Sequence, residues 1–371
     1  MTKRLFLLGG LAILAVVLSH AAAYTQTALF LWADKYLPVS VPNWGALDSV
    51  SHYGLLVLRS TCAFAVPAFL FISGFFSAYA VRGNQPTSHQ WKAVFRRVLG
   101  LVIPYLFWSI VIFVAQALTG TVYTPFEYAV KLLTGGAFWH LFFAPALCVC
   151  YLLSPWIVAF AKKRPGLLVF ALALVQLGLL VTEYARLFGV GGTAVAWIGR
   201  IAPEGSLPWW IIFFALGSVA ALNVEKVKEW LTEYQRQIVA VAVLSWLLNI
   251  WEGDTLIRTY QTEWAAGIGT VSCNLYAVSV VMCFLSFWDA QIPWSKALQG
   301  LSKRSYGIYL VHFPIIHFVA HFIRTAVPGI LANQMLLVLL FFIAGLGGAL
   351  LIMEAVDRWP PSRRVYRYLF G

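Results

Sequence analysis

Long apolar runs recur from one end of the chain to the other, separated by short stretches that collect the charges, prolines and glycines. A run of about 17–25 apolar residues is long enough to cross a hydrocarbon core as a helix. Ten runs qualify, at 5–23, 57–81, 98–118, 138–160, 166–182, 208–223, 235–251, 265–287, 305–325 and 332–355. The pattern predicts an all-α polytopic membrane protein with about ten transmembrane helices, built as one transmembrane domain over 1–371.

Charge placement orients that arrangement. With the N-terminus inside, the inner segments and helix ends hold Lys3, Arg4, Arg82, Lys92, Arg96, Arg97, Lys162, Lys163, Arg164, Lys226, Lys228, Arg236, Lys296, Lys303, Arg304, Arg358, Arg363, Arg364 and Arg367. These are nineteen of the 26 basic residues. The positive-inside rule therefore predicts that both termini are cytoplasmic. Dropping one central helix would move a basic cluster outside. Dropping the first would not, so the charges leave that segment open.

Met1 to Tyr24 fits two descriptions. Lys3-Arg4, an apolar stretch and Ala21-Ala22-Ala23 have the layout of a cleaved secretory signal. Leu5 to Tyr24 is also a twenty-residue helix, able to cross about 30 Å. On the helix reading His20 stands sixteen residues, roughly 24 Å, above Arg4, in the outer third of the bilayer.

Composition narrows the class. The chain is 61% hydrophobic and 11% charged, against about 25% charged in soluble domains, with a mean hydropathy of +0.80. The net charge of +12 falls in short clusters between apolar runs, which is membrane topology and not a nucleic-acid surface. Five cysteines (Cys62, Cys148, Cys150, Cys273, Cys283) all lie in apolar spans, and their odd number argues against a disulfide framework. Residues 24–56, 183–207 (with Glu183, Arg186, Arg200, Glu204) and 252–264 (with Glu252, Asp254, Arg258, Glu263) are the polar outer segments. They read as a lid over a cavity or, more plainly, as solvated connectors.

Ionisable groups inside spans are functional candidates by default. His20 is on the first helix, His140 opens the fourth, and His312, His317 and His321 are on the ninth. His312 lies eight residues past Arg304, roughly 12 Å into the membrane. His317 and His321 share a helix face. With no carboxylate in that helix they read as histidines hydrogen-bonded across helices, and no metal is expected. Mid-depth carboxylates are nearly absent, which argues against an ion relay. Imidazole suits general-base or acyl-carrying work, and basic residues at the inner mouth suit an anionic cosubstrate.

Several motifs in order resemble acyltransferase family 3, the integral membrane acyltransferases. They are Leu11 to His20; Val66-Pro67-Ala68-Phe69-Leu70-Phe71-Ile72-Ser73-Gly74-Phe75-Phe76; Arg96-Arg97 ahead of Pro104-Tyr105-Leu106-Phe107-Trp108; Trp139-His140-Leu141-Phe142-Phe143; Phe213-Phe214 with Gly217; and Ser305-Tyr306-Gly307-Ile308-Tyr309-Leu310-Val311-His312. The resemblance implies transfer of an acyl group, often acetyl, from cytoplasmic acyl-CoA to a hydroxyl of a glycan or lipid-linked acceptor at a membrane. A bacterial inner membrane is the expected location, and membrane lipid an expected partner. It maps the family's catalytic histidine onto His20 and an inner-mouth arginine onto Arg97. Two usual charges are absent, at Gly9 and Gly100.

The expected site therefore has His20 and His312 as catalytic residues. Arg4, Arg96, Arg97 and Arg304 are expected to hold the CoA phosphates, with Ser73, Tyr306 and Tyr309 as substrate or oxyanion groups. Because His20 and His312 differ in estimated depth by roughly 12 Å, they are not expected to act on one atom, and His312 is expected to line the acyl path. Pro67 is expected to kink its helix and open a cavity. The glycines at 9 and 100 support a second reading, a catalytically degenerate member serving as a structural or accessory subunit of a membrane complex.

Overall fold

The computed structural model describes residues 1–81, 87–203, 205–261 and 269–371, with side chains at all of these except 87–89. Arg82, Glu204, Glu263 and the first four residues of the expected run 265–287 lie outside the described residues.

Sixteen α-helices follow one another among the described residues: α1 (Thr2–Phe30), α2 (Val50–Cys62), α3 (Ala65–Ala80), α4 (Thr87–Leu118), α5 (Pro125–Thr134), α6 (Phe143–Lys163), α7 (Pro165–Leu187), α8 (Gly192–Ile201), α9 (Ile211–Leu222), α10 (Val224–Glu233), α11 (Gln235–Tyr260), α12 (Val271–Ser286), α13 (Ser295–Ala326), α14 (Gln334–Arg358), α15 (Pro360–Arg363) and α16 (Tyr366–Phe370). Eight stretches are long and apolar enough to span a bilayer, with α2 and α3 together making one of them. The shorter apolar helices α9 and α12 coincide with the other two expected runs. The protein is an all-α polytopic membrane protein.

α1 runs through the middle of the bundle, with Leu5, Ala12, Ile13, Val17, Ala21 and Ala22 all fully buried. It packs against α13, α14, α2 and α3. Small residues set these approaches, because in lipid no aqueous driving force brings helices together and close backbone packing must do it. A Cβ on Gly10 would lie 2.2 Å from the Leu298 carbonyl oxygen of α13. The same device joins α3 to α9, where a Cβ on Gly74 would lie 1.9 Å from the Phe214 carbonyl oxygen and one on Gly217 1.9 Å from that of Phe71.

The expected kink falls where the helix is interrupted. The helix that begins as α2 is interrupted at residues 63–64 and resumes as α3, with Pro67 in the new first turn. Proline has no N–H to donate there, and a first turn has none to lose. The break leaves Cys62, Ala63, Ala65 and Val66 on a cavity wall.

The short helices α5, α8 and α10 interrupt the simple picture of spans joined by loops. α5 opens with a Thr124–Glu127 capping box and ends at Gly135 in the left-handed region. A Cβ on Gly135 would lie 2.4 Å from Phe142 Cα, so the chain turns back tightly there. The turn feeds a single 3₁₀ segment, Trp139–Phe142, which leads into α6. The loop before α2 is also fixed. Arg258 of α11 reaches Asp48 and the Leu47 carbonyl oxygen, while Asp254 bridges Arg258 and the buried His52.

Candidate functional site

α1 and α13 run in the same direction. Gly9 stands beside Ser302, whose Oγ would be 2.4 Å from a Cβ at that glycine, and further along Tyr24 meets His317. Eleven residues separate Gly9 from His20 and ten separate Ser302 from His312, rises of about 17 and 15 Å. The two histidines are therefore level. His20 Nδ1 and His312 Nε2 are 2.7 Å apart, with ring planes within 7° of parallel. This corrects the expected depth mismatch. That estimate took Arg4 and Arg304 as marks on one surface, whereas Ser302, just before Arg304, is level with a residue more than a turn beyond Arg4.

The hydrogen bonds fix the tautomers. His312 Nδ1 lies 2.8 Å from the Ile308 carbonyl oxygen, which only accepts, so Nδ1 carries the proton and Nε2 the lone pair. His20 Nδ1 then donates to His312 Nε2. What remains on His20 is a lone pair on Nε2, which has no hydrogen-bond partner among the described residues.

His20 borders a cavity of about 420 Å³, a size suited to a small-molecule site. Its walls run from Phe6, Gly9 and Ser302 near the basic ends of α1 and α13 to His20 and His140. Val66, Phe69, Phe143 and Leu147 supply apolar lining between. Ser73, Tyr306 and Tyr309 border it too. The two tyrosine hydroxyls are committed elsewhere: Tyr306 donates to the Leu101 carbonyl oxygen at 2.7 Å and Tyr309 to that of His140 at 2.9 Å. They brace the wall and do not present a donor to an oxyanion.

The four expected phosphate-binding arginines separate. Arg97 sits under the cavity, donating to Ser77 Oγ at 2.9 Å and to the Phe76 carbonyl oxygen at 3.2 Å, and facing the ring of Tyr151. Phe76 and Tyr151 are both cavity residues. Arg96, its neighbour, is exposed. Arg4 is only 6% exposed and is committed to the carbonyl oxygens of Phe284 and Ala290 at and beyond the C-terminus of α12, so it secures that end of the bundle. Arg304 pairs with Glu354, which Arg358 shares. Of the two missing charges, Gly9 is filled by the approach of Ser302, while a Cβ on Gly100 would meet nothing within 4 Å.

His317 Nδ1 and the Tyr24 hydroxyl are hydrogen-bonded at 2.5 Å, the cross-helix bond expected of His317. His321 packs edge-on to Trp32, which Arg324 covers from another side.

One site residue was visible in the sequence without an assigned role. His140 is 2% exposed, stacks on Phe313 with centroids 4.6 Å apart, and lies 6.0 Å from His20 and 5.7 Å from His312, ring to ring. Both of its ring nitrogens are buried without a hydrogen-bond partner among the described residues. The 3₁₀ turn after Gly135 brings it there, and the Tyr309 hydroxyl holds its carbonyl. Trp139, stacked edge-on at 5.0 Å, covers His20 from the same turn.

No curated protein and no solved structure matches this chain. A family described as an acyltransferase domain matches residues 7–354, nearly the whole length, and takes in the His20–His312 pair and its cavity. The chain belongs to acyltransferase family 3, the integral membrane acyltransferases.

Proposed function

We propose that the protein moves an acyl group, acetyl in the simplest case, from acyl-CoA to a hydroxyl of a glycan or lipid-linked acceptor at the membrane, with His20 as general base. The observation that carries this reading is the oriented pair: His312, tied to the Ile308 carbonyl, holds Nδ1 of His20 and leaves Nε2 uncommitted on a ring that borders the cavity. A base oriented by a second group is what abstraction of a hydroxyl proton requires.

The basic end of the bundle is placed in the cytoplasm, where the thioester enters past Arg97. The acceptor hydroxyl gives its proton to His20 Nε2 as its oxygen attacks the thioester carbonyl carbon. The carbonyl π pair moves onto oxygen. When the tetrahedral intermediate collapses, the C–S bond breaks, the thiolate leaves, and His20 returns the proton to sulfur. His312 Nε2 accepts from the charged His20 ring and stabilises it. The apolar walls keep water from competing with the acceptor.

The reading as a structural or accessory subunit draws on Gly9 and Gly100. The two are separated by incubating the purified protein with radiolabelled acyl-CoA and following bound label and released thiol. The enzyme reading expects saturable binding and thiol release. Absence of any thermal shift with acyl-CoA, together with stoichiometric co-purification with other membrane subunits, would favour the structural one.

A further inference from the structure

The chain beyond α14 is tied into the bundle beside the cavity. α15 and α16 fold back so that Phe370 is buried at 2% exposure and Trp108 Nε1 of α4 donates to the Leu369 carbonyl oxygen at 2.8 Å. A Cβ on Gly307 of α13 would lie 2.9 Å from Phe370 Cβ, and one on Gly371 2.7 Å from the ring of Tyr306 and 3.5 Å from the Gly100 carbonyl oxygen. Tyr306 and Leu101, themselves hydrogen-bonded, are cavity residues. The folded-back arm is thus the outer support of the cavity wall near its basic end, and it packs beside Gly100.

The arm also carries charge. Arg363 pairs with Asp357, but Arg364 and Arg367 are exposed and form no ion pair among the described residues. Arg367 lies over the ring of Tyr368, its own neighbour. The matched family span stops at residue 354, so these two arginines lie outside it. Meanwhile two of the cations expected at this mouth are used up, Arg4 on carbonyls and Arg304 on Glu354.

We propose that Arg364 and Arg367, on the folded-back arm, bind the phosphate groups of the nucleotide-bearing thioester, in place of charges absent at Gly9 and Gly100. The assignment rests on the acyl-CoA reading above. Guanidinium groups pair bidentately with phosphate, and an exposed pair with no carboxylate partner is free to do so. The arm that carries them is tied to α4 through Leu369 and to α13 through Phe370 and Gly371, so it is not a loose tail.

The test compares two donors with the same reacting thioester. S-acetyl-CoA carries phosphates, and S-acetyl-pantetheine carries none. For the double variant Arg364→Gln/Arg367→Gln in detergent, KM for S-acetyl-CoA should rise at least tenfold. KM for S-acetyl-pantetheine, kcat and the melting temperature should stay as in the wild type. A variant that keeps the wild-type preference for the phosphate-bearing donor overturns this assignment and leaves the acyl-CoA reading intact, and it would point to an anionic lipid surface as the arginines' partner. A wild type that uses neither thioester overturns both.

Discussion

His312 holds the Nδ1 edge of His20 at 2.7 Å, and the Ile308 carbonyl oxygen holds the far edge of His312 at 2.8 Å. The chain of donors runs one way, so removing the middle ring should disorient the base without removing it. For His312→Phe we expect kcat to fall on the order of 10²-fold, the scale of a lost acid–base contribution, with little change in KM. His312→Gln keeps an acceptor for His20 Nδ1 and should retain more activity than the phenylalanine variant. Equal losses in the two, measured by thiol release, would mean that His312 serves packing alone.

The level placement of the two histidines depends on the close approach of α1 to α13 at Gly9 and Gly10. A methyl group on Gly9 would meet chiefly the Ser302 hydroxyl oxygen, at 2.4 Å, with the next atom at 3.4 Å. Gly9→Ala should therefore destabilise by about 1–3 kcal/mol, as overpacking does, and Ser302→Ala should relieve most of it. A thermal-denaturation double-mutant cycle should give a coupling of at least about 0.5 kcal/mol. Gly10→Ala meets the Leu298 backbone itself and should find no such rescue. Additive effects at Gly9 and Ser302 would contradict the register.

His140 is a polar ring buried without a hydrogen-bond partner among the described residues. An unsatisfied buried group of this kind destabilises by about 1–3 kcal/mol. Replacing it with phenylalanine should raise the melting temperature by a few degrees while lowering the transfer rate, since the ring borders the cavity that holds His20. A drop in both stability and rate would show that His140 is part of the packing scaffold and nothing more.

Much of the architecture was legible because apolar length is a direct physical requirement of crossing a bilayer. Each of the ten runs overlaps a helix among the described residues, and Pro67 lies just after the break between α2 and α3. The amphipathic helices α5 and α8 were not expected, being too short to register as spans. His20 and His312 could both be named, but their contact could not. Depth was counted from arginines, and an arginine marks a surface only when it stays in water. Arg4 does not: its guanidinium is folded onto the carbonyls of Phe284 and Ala290. The true reference was Gly9 against Ser302, a steric fact between residues 293 positions apart that no local pattern carries. The hydroxyls of Tyr306 and Tyr309 were read as donors to substrate for a similar reason, since their backbone acceptors appear only when α4 and the turn before α6 are in place.

A base at His20 is best tested by taking the ring away and giving it back. His20→Ala should lower acyl transfer from radiolabelled acyl-CoA by at least about 10²-fold, and added imidazole, diffusing into the space the ring leaves, should restore part of the rate in proportion to its concentration. Transfer at the wild-type rate by His20→Ala without imidazole would contradict the account.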